Sequence, residues 1–315
     1  MSSLLRKYDI DAKSIGRLEV GTESLIDKAK SVKSVLTTLF EPHGNTSLEG
    51  IDTVHACYGG TSALFNAVNW VESRSWDGRD AIVVASDIAL YDQPASRPTG
   101  GAGCVAMLVG PNAALSLDPK VRGVYMTNTY DFYKPDLKVE FPLVNGQESI
   151  TCYLGALDGC HKDLLRRSKA ASGVINGDNP ATNKVLDLFD YMAFHTPNCK
   201  LVSKSYGRLK YNDILLSANE SDWEGIPFEL RQLGYKESLK DKNLEKALVA
   251  VTKARFQKQI EPCIAAPSLC GNMYTGSLYC SLISLISNID LSTAKGKTIG
   301  MFSVSCSFSD PGRGQ

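Results

Sequence analysis

The sequence has no excess of charge of either sign. Its 315 residues contain 34 Lys and Arg against 34 Asp and Glu, so the formal net charge is zero. A chain without net positive charge has no broad electrostatic attraction to nucleic acid, and we expect no nucleic-acid partner. Any phosphate-bearing ligand must then be held by a local cluster of basic side chains.

The sequence also lacks long apolar runs and zinc-spaced cysteines. No apolar run reaches the ~20 residues that cross a bilayer, so we expect no membrane span. The nine cysteines have no histidine partners at zinc-site spacing, and several lie in apolar stretches. This pattern favours free thiols in a reducing compartment. The first residues are unlike a signal peptide or an Arg-rich transit peptide. We expect a cytoplasmic protein, with a mitochondrial location as the alternative.

Neither an internal repeat nor a low-complexity tract interrupts the chain. Its composition, 43% apolar and 22% charged residues, is typical of a globular protein with one large or two medium domains. Apolar runs predict buried strands, and 3.6-residue periodicity predicts helices. The predicted strands span residues 17–20, 51–56, 80–91, 102–110, 122–127 and 298–304. The predicted helices span residues 24–40, 148–169, 243–259 and 275–287, with a further helix after residue 60.

The stretch from residue 45 to residue 68 combines a predicted strand, Cys57, a glycine pair and a helix. This corner puts Cys57 at or near a helix N-terminus, where unpaired N–H groups and the helix dipole stabilise an anion. A thiol in such a place becomes a better nucleophile. Gly59 and Gly60 leave room beside the sulfur for a thioester. The local pattern alone leaves two interpretations open, a nucleophile and a buried inert cysteine.

The same stretch closely resembles the active-site signature of the 3-hydroxy-3-methylglutaryl-CoA (HMG-CoA) synthase family, which belongs to the thiolase superfamily. The matching positions are Asn45, Glu49, Gly50, Ile51, Asp52, Ala56, Cys57, Tyr58 and Gly60. The departures are Ser47, Leu48 and His55. Further matches lie in residues 16–23, 97–101, 130–136, 194–195 and 271–274. The resemblance therefore covers nearly the whole chain.

The resemblance implies a thiolase-like α/β fold, with two layered halves of mixed sheets and helices and the active site between them. We place the boundary near residue 118, which gives an N-terminal half 1–118 with Glu23 and Cys57 and a C-terminal half 119–315 with His195 and Asn272. The implied reaction condenses acetyl-CoA with acetoacetyl-CoA and water, through an acetyl-cysteine intermediate and with no metal or other cofactor. A homodimer and a role in mevalonate, isoprenoid or ketone-body metabolism are also implied.

The resemblance assigns roles to individual residues. Cys57 is expected to carry the acetyl group, Glu23 to act as general base, and His195 to position and polarise the ketone. Contacts to substrate and CoA are expected from six residues, which are Thr99, Ser149, Lys200, Lys204, Asn272 and Cys306. Neighbours of the acetyl site are expected at three positions, which are Asp87, Tyr91 and Asp131.

Several of these residues also fit a purely structural role. Glu23 fits a carboxylate favoured at a helix start, although its distance along the chain from the cysteine agrees with the family. Asp87 and Tyr91 fit structural hydrogen bonding about as well as they fit a place in the acetyl site. Lys200 and Lys204 share one helix face, which is typical both of a solvated surface and of a clamp on CoA phosphates.

Three alternatives stay open. The first is another acyl-CoA condensing enzyme of the same superfamily. The second is a cysteine hydrolase, although the residues after Cys57 are unlike the papain type. The third is a truncated and catalytically impaired homologue, because family members extend beyond both ends of this chain. The chain has residues 305–307 as Ser-Cys-Ser where the family has a glycine-flanked serine, and Ala95 where it has an asparagine. We expect the 305–307 change to impair activity and Ala95 to remove one polar contact.

Overall fold

The computed structural model describes residues 1–118, 121–136, 138–170 and 184–304. Its contacts group the chain into two compact units. The first unit contains Met1–Leu117 and Cys270–Cys280, and the second contains Asp118–Leu269 and the chain from Ser281 onward. The segment Cys270–Cys280, which includes Asn272, thus packs with the first unit although chain order alone groups it with the C-terminal half.

The first unit is built on a four-stranded mixed sheet. Its elements are α1 (Ser2–Lys7), β1 (Ile15–Gly21), α2 (Val32–Leu36), β2 (Asp52–Thr53), α3 (Gly59–Val71), β3 (Asp80–Ala89) and β4 (Gly101–Val109). The sheet order is β2-β1-β3-β4. Strand β1 pairs in parallel with β2 and β3, and β3 pairs antiparallel with β4. The mixed α/β architecture agrees with the sequence prediction.

Strand β3 is covered on both faces, as its continuous apolar run predicts. Ile82 and Val84 join one hydrophobic cluster with residues of β1. Ala81 and Val83 point to the opposite face and pack against α3. This alternation is the two-residue period of a strand, and it fixes α3 on one face of the sheet.

The second unit is largely helical and also contains two small sheets of two strands each. Its strands are β5 (Phe132–Tyr133), β6 (Leu143–Val144), β7 (Tyr191–Phe194) and β8 (Ile299–Phe302). Strands β5 and β6 are antiparallel, and β7 and β8 are parallel. The helices from here to residue 288 are α4 (Gly146–Ala170), α5 (Cys199–Leu215), α6 (Phe228–Arg231), α7 (Tyr235–Ser238), α8 (Lys242–Gln259), α9 (Glu261–Cys270) and α10 (Ser277–Asn288). Within the described ranges, none of the helices combines the length and the apolar content that crossing a bilayer requires.

The predicted helix over residues 24–40 is wrong in its first half, because α2 begins only at Val32. The Asp27 carboxylate accepts hydrogen bonds from the amides two and three residues later, at 2.8 and 2.9 Å. Such a bond closes a turn in place of a helix. The Asp52 carboxylate then accepts from the amides of Val32 and Lys33. These bonds satisfy the free N–H groups of a helix start, so the helix begins there.

Two predicted strands differ from the structure as well. Within residues 51–56 only the two residues of β2 pair with a neighbouring strand. Residues 122–127 form no strand, because the amide of Val124 donates to Asp163 Oδ2 on α4 at 2.8 Å. A helix side chain thus takes the place of a strand partner. Helices α6, α7 and α9 were not predicted.

Candidate active site

Three chain turns meet at one edge of the sheet in the first unit. Strands β1, β2 and β3 are parallel, so their carboxyl ends lie at the same edge. Glu23 follows the end of β1 by two residues, Cys57 follows β2 by four, and Tyr91 follows β3 by two. The fold therefore explains why residues far apart in the sequence lie together.

Glu23 and Cys57 are in direct contact. Cys57 Sγ donates a hydrogen bond to Glu23 Oε1 at 3.5 Å, and both side chains are half-buried. A carboxylate at this distance can accept a proton from the thiol, or from a small group bound to the sulfur. The geometry thus fits the base and nucleophile of the sequence hypothesis.

Cys57 follows a strained backbone position and precedes helix α3. Ala56 has a φ of +42°, which is uncommon for a residue with a side chain and costs about 1–3 kcal/mol. Because α3 begins at Gly59, Cys57 lies two residues before the helix, as predicted. Strained positions persist where the surrounding structure fixes them, and here the strain lies beside the thiol.

The glycines beside the cysteine allow close packing. A Cβ on Gly60 would lie 2.8 Å from the carbonyl oxygen of Thr275. A Cβ on Gly21 would lie 2.4 Å from the backbone of Gly60. Both distances are too short for any side chain, so these glycines seat α3 against β1 and the Cys270–Cys280 segment. This packing role is additional to the room for a thioester that the sequence predicts.

Asp87 is the centre of a buried hydrogen-bond network. Its Oδ1 accepts from the amides of Glu23 and Ser24 at 2.8 and 3.1 Å, and from the Thr22 hydroxyl at 2.8 Å. Its Oδ2 accepts from the amide of Thr275 at 3.1 Å. These bonds hold the turn that carries Glu23, which is the structural role considered for Asp87 in the sequence.

Tyr91 is joined to Asn272, whose Nδ2 donates to Tyr91 Oη at 2.9 Å. Burial, and to a smaller extent the nearby Cys57 and Glu23 groups, raise the pKa of Tyr91 to about 12. The phenol therefore stays protonated at neutral pH. Through these contacts Tyr91 lies close to the Glu23–Cys57 pair, and Asn272 lies next to Tyr91.

Tyr274 is a residue of this cluster that the sequence interpretation did not single out. Its ring is fully buried and meets the Tyr91 ring edge-on, with 6.3 Å between the ring centroids. Its φ is +41°, and burial raises the pKa of its phenol. The signal that could have identified it is the family resemblance over residues 271–274, which ends at Tyr274.

Thr99 contacts the same segment through its backbone. Its carbonyl oxygen accepts from the Asn272 amide at 2.8 Å. Its hydroxyl donates to the carbonyl oxygen of Ser96 at 2.7 Å, so the hydroxyl proton is used within a local turn. An open cleft of about 450 Å³ adjoins this turn and is lined in part by residues 88–91 and 100–102.

His195 lies in the second unit, directly after β7, and is buried. Its carbonyl oxygen accepts from the Tyr153 hydroxyl at 2.6 Å, and the two rings are stacked with 6.4 Å between their centroids. Burial lowers the pKa of His195 to about 3, so the imidazole is neutral at physiological pH. Its Nδ1 has no hydrogen-bond partner among the described residues. A neutral imidazole can donate one N–H bond to an oxygen that gains negative charge.

Asp131 and Ser149, also in the second unit, lie close enough for the Ser149 side chain to lower the pKa of the Asp131 carboxyl. The Thr129 hydroxyl donates to Asp131 Oδ1 at 3.2 Å. Burial raises the pKa of Asp131, and the bonds from Ser149 and Thr129 act in the opposite direction. The structure thus brings together an expected neighbour of the acetyl site and an expected substrate contact.

Lys200 and Lys204 lie one turn apart on α5, as predicted, but their surroundings differ. Lys200 is exposed, and no ion pair involves it within the described part of the chain. The Lys204 ammonium lies 3.0 Å from Glu245 Oε2 on α8. Lys200 is therefore the more available cation for a phosphate. Cys306, the last of the predicted contacts, lies outside the described residues.

Comparison with known proteins points to a single family. Residues 1–114 match the family model described as hydroxymethylglutaryl-coenzyme A synthase N terminal, and residues 115–309 match the corresponding C terminal model. A hydroxymethylglutaryl coenzyme A synthase from a Fusarium species is 83% identical over 304 residues, which cover 96% of this chain and 67% of that protein. Hydroxymethylglutaryl-CoA synthase erg13A of Aspergillus fumigatus is 58% identical over 307 residues, which cover 96% and 65%.

Solved structures give the same result. MvaS in complex with 3-hydroxy-3-methylglutaryl coenzyme A has a TM-score of 0.79 and 33% identity, over 96% of this chain and 66% of that chain. The HMG synthase of the curacin biosynthetic pathway has a TM-score of 0.70 and 26% identity, over 94% and 60%. The chain thus spans roughly two thirds of the length of the relatives it matches.

Proposed function

The chain belongs to the hydroxymethylglutaryl-CoA synthase family and has its thiolase-like fold, and we propose that it is an acyltransferase that makes HMG-CoA. In this reaction acetyl-CoA and acetoacetyl-CoA condense with water to give HMG-CoA and free CoA. The observation that carries the proposal is the 3.5 Å contact between the Cys57 thiol and the Glu23 carboxylate. This contact supplies a nucleophile and a base at one place, which both halves of the reaction need.

In the first half-reaction, Cys57 Sγ attacks the acetyl carbonyl of acetyl-CoA and the CoA thiolate leaves. Glu23 accepts the thiol proton and passes it to the CoA sulfur, which restores the carboxylate. The acetyl group is then bound to Cys57 as a thioester. Asn272, Tyr91 and Thr99 are proposed to line the place of this group, since the first two are bonded to each other beside Cys57.

In the second half-reaction, Glu23 removes a proton from the methyl group of the acetylated cysteine. The resulting enolate carbon attacks the ketone carbon of acetoacetyl-CoA. His195 is proposed to donate a hydrogen bond to the ketone oxygen, as a neutral imidazole, because burial lowers its pKa to about 3. That oxygen takes up the proton from Glu23. Water then hydrolyses the thioester to Cys57 and releases HMG-CoA.

The remaining assignments are part of the same proposal. Lys200 is proposed to bind a CoA phosphate, supported by its exposure and by the absence of net positive charge on the chain. Asp131 and Ser149 are proposed as a second polar contact to substrate. We further propose a homodimer in the cytoplasm, working in the mevalonate or isoprenoid pathway. The eight cysteines in the described ranges are free thiols, which supports a reducing compartment.

The test uses the two half-reactions separately. The purified protein is incubated with acetyl-CoA and mapped by peptide mass spectrometry, and acetoacetyl-CoA is then added and HMG-CoA is measured. We expect acetylation of Cys57 alone among the nine cysteines, followed by HMG-CoA formation. Cys57→Ala should show neither. Glu23→Ala should still be acetylated, but more slowly than the parent because the thiol has lost its base. Once acetylated, it should condense about 10²–10⁴-fold more slowly, the usual contribution of a general base.

Each outcome bears on one part of the proposal. Acetyl groups spread over several cysteines would contradict Cys57 as the nucleophile. Condensation by Glu23→Ala at the parent rate would contradict Glu23 as the base. Acetylated Cys57 that yields no HMG-CoA would favour the alternative of an impaired homologue.

A further inference from the structure

Thr275 contacts the backbone on both sides of the Glu23–Cys57 pair. On the Glu23 side, its hydroxyl lies 3.0 Å from the carbonyl oxygen of Gly21, the last residue of β1. Its amide and its hydroxyl also donate to Asp87 Oδ2. Asp87 Oδ1 in turn holds the amide of Glu23. One hydroxyl thus lies within hydrogen-bonding distance of both the strand that precedes Glu23 and the carboxylate that fixes it.

On the Cys57 side, Thr275 packs against the start of α3. Its Cγ2 lies 3.3 Å from the place that a Cβ on Gly59 would take, and its carbonyl oxygen lies 2.8 Å from the corresponding place on Gly60. The carbonyl oxygen of Thr275 thus excludes a side chain at Gly60, whereas a side chain at Gly59 is excluded mainly by the carbonyl oxygen of Thr53, at 2.8 Å. The first turn of α3, and the cysteine two residues before it, are therefore seated against Thr275.

We infer that Thr275 is a positioning residue that sets the distance between the Glu23 carboxylate and the Cys57 thiol. It acts through Asp87 on one side and through its packing at the glycine pair on the other. The contact that it controls is a 3.5 Å hydrogen bond from the thiol to the carboxylate. Because hydrogen bonds weaken steeply when their geometry is disturbed, a shift of either backbone would hinder proton transfer between nucleophile and base. The inference rests on the proposed function for its effect on turnover, but not for its effect on the thiol.

Two substitutions divide the contacts of Thr275. Thr275→Val keeps the shape and the methyl packed at Gly59, but it removes the hydroxyl bonded to Asp87 and Gly21. Thr275→Ser keeps the hydroxyl and removes the methyl. Asp87 retains its four donors at Oδ1 and the amide of residue 275 in both variants, so the turn keeps most of its support. Thr252→Val is the matched control, because Thr252 is also a buried threonine whose hydroxyl donates to a carbonyl oxygen, at 2.7 Å, within α8.

The first measurement needs no substrate. The rate of alkylation of Cys57 by iodoacetamide is followed against pH by peptide mapping, in the parent, in Thr275→Val, in Glu23→Gln and in the double variant. We expect the midpoint of the Thr275→Val profile to move from the parent toward that of Glu23→Gln. In the Glu23→Gln background, Thr275→Val should cause no further shift, because the contact it controls is already absent. Thr275→Ser and Thr252→Val should follow the parent.

The second measurement is turnover with the two CoA thioesters. Thr275→Val should lower kcat by about tenfold or more with little change in KM, since small misplacements of catalytic groups cost rates of this order. Thr275→Ser should recover kcat to within about threefold of the parent. A parent-like alkylation profile in Thr275→Val, or an equal shift with and without Glu23, would overturn the inference. If the alkylation results hold and no variant makes HMG-CoA, the proposed function fails and the positioning role stands.

Discussion

The buried His195 should make the folded protein less stable in mild acid. In the folded chain burial holds its pKa at about 3, against an ordinary value of 6.5. Below pH 6.5 the unfolded chain therefore binds a proton that the folded chain does not bind. As the pH is lowered from 6.5 toward 3, the folded protein therefore loses stability, because only the unfolded state gains the proton. The perturbation is a change from pH 7 to pH 5, and the comparison is with His195→Asn, which keeps a polar side chain but does not titrate there.

The magnitude follows from the distance between the two pKa values. Each pH unit between them corresponds to about 1.36 kcal/mol, and pH 5 lies about 1.5 units below the unfolded value, so the loss is about 2 kcal/mol. Any folded pKa below about 4 gives the same loss at pH 5. Asp131 acts in the opposite direction, because burial raises its pKa and acid then favours the folded form. The comparison of two proteins that share Asp131 removes its contribution.

The assay is urea unfolding of the parent and of His195→Asn at pH 7 and pH 5. The parent should lose about 2 kcal/mol more than the variant over this interval. The sequence has only four histidines, so the ring resonance of His195 can be assigned by its loss in the variant. That resonance should not titrate between pH 5 and pH 8. Equal pH dependence in the two proteins, or a His195 resonance that titrates near pH 6.5, would refute the burial argument.

Two further predictions concern packing and CoA binding. Gly60→Ala should lower the free energy of unfolding by about 1–3 kcal/mol, because the new methyl would meet a carbonyl oxygen at 2.8 Å. The control in the same melting experiment is Gly146→Ala, where a Cβ meets nothing within 4 Å. Equal losses of stability in the two variants would contradict the packing role of Gly60. Lys200→Ala should raise KM for the CoA thioesters several-fold more than Lys204→Ala, because Lys204 is already paired with Glu245 at 3.0 Å. Equal KM values for the two variants in steady-state kinetics would contradict the assignment of Lys200.

The larger elements of the fold could be predicted because their signals are local. The apolar runs of β3 and β4 and the helical periodicity of α4 and α8 each lie within one segment, and the structure has these elements at nearly the predicted bounds. The helix predicted over residues 24–40 failed for a reason outside its own segment. The Asp52 carboxylate, on β2, sets its start at Val32, and periodicity within a segment carries no information about such a partner.

The pairing of Glu23 with Cys57 was predictable from the sequence, but the bonds that support this pair were not. Glu23 and Cys57 were predicted through motif positions, and parallel strand ends explain why they meet. The bonds of Asp87 to Thr275 join residues 188 positions apart, and neither residue type nor local spacing indicates such a pair. The strained φ at Ala56 is likewise invisible in the sequence, because alanine is no sign of a left-handed backbone.

The place of Asn272 shows how chain order can misassign part of a site. By sequence position it falls in the C-terminal half together with His195. In the structure it is bonded to Tyr91, 181 residues earlier, and its segment packs with the first unit. The residues around the cysteine therefore belong to one compact unit formed by two distant stretches of chain. Because the hydroxyl and amide of Thr275 on the second stretch bind the same carboxylate that holds Glu23 on the first, the two stretches must be in place together before the thiol and its base can meet. The backbone support of the Glu23–Cys57 pair thus includes a contact that forms only when the chain returns to the first unit.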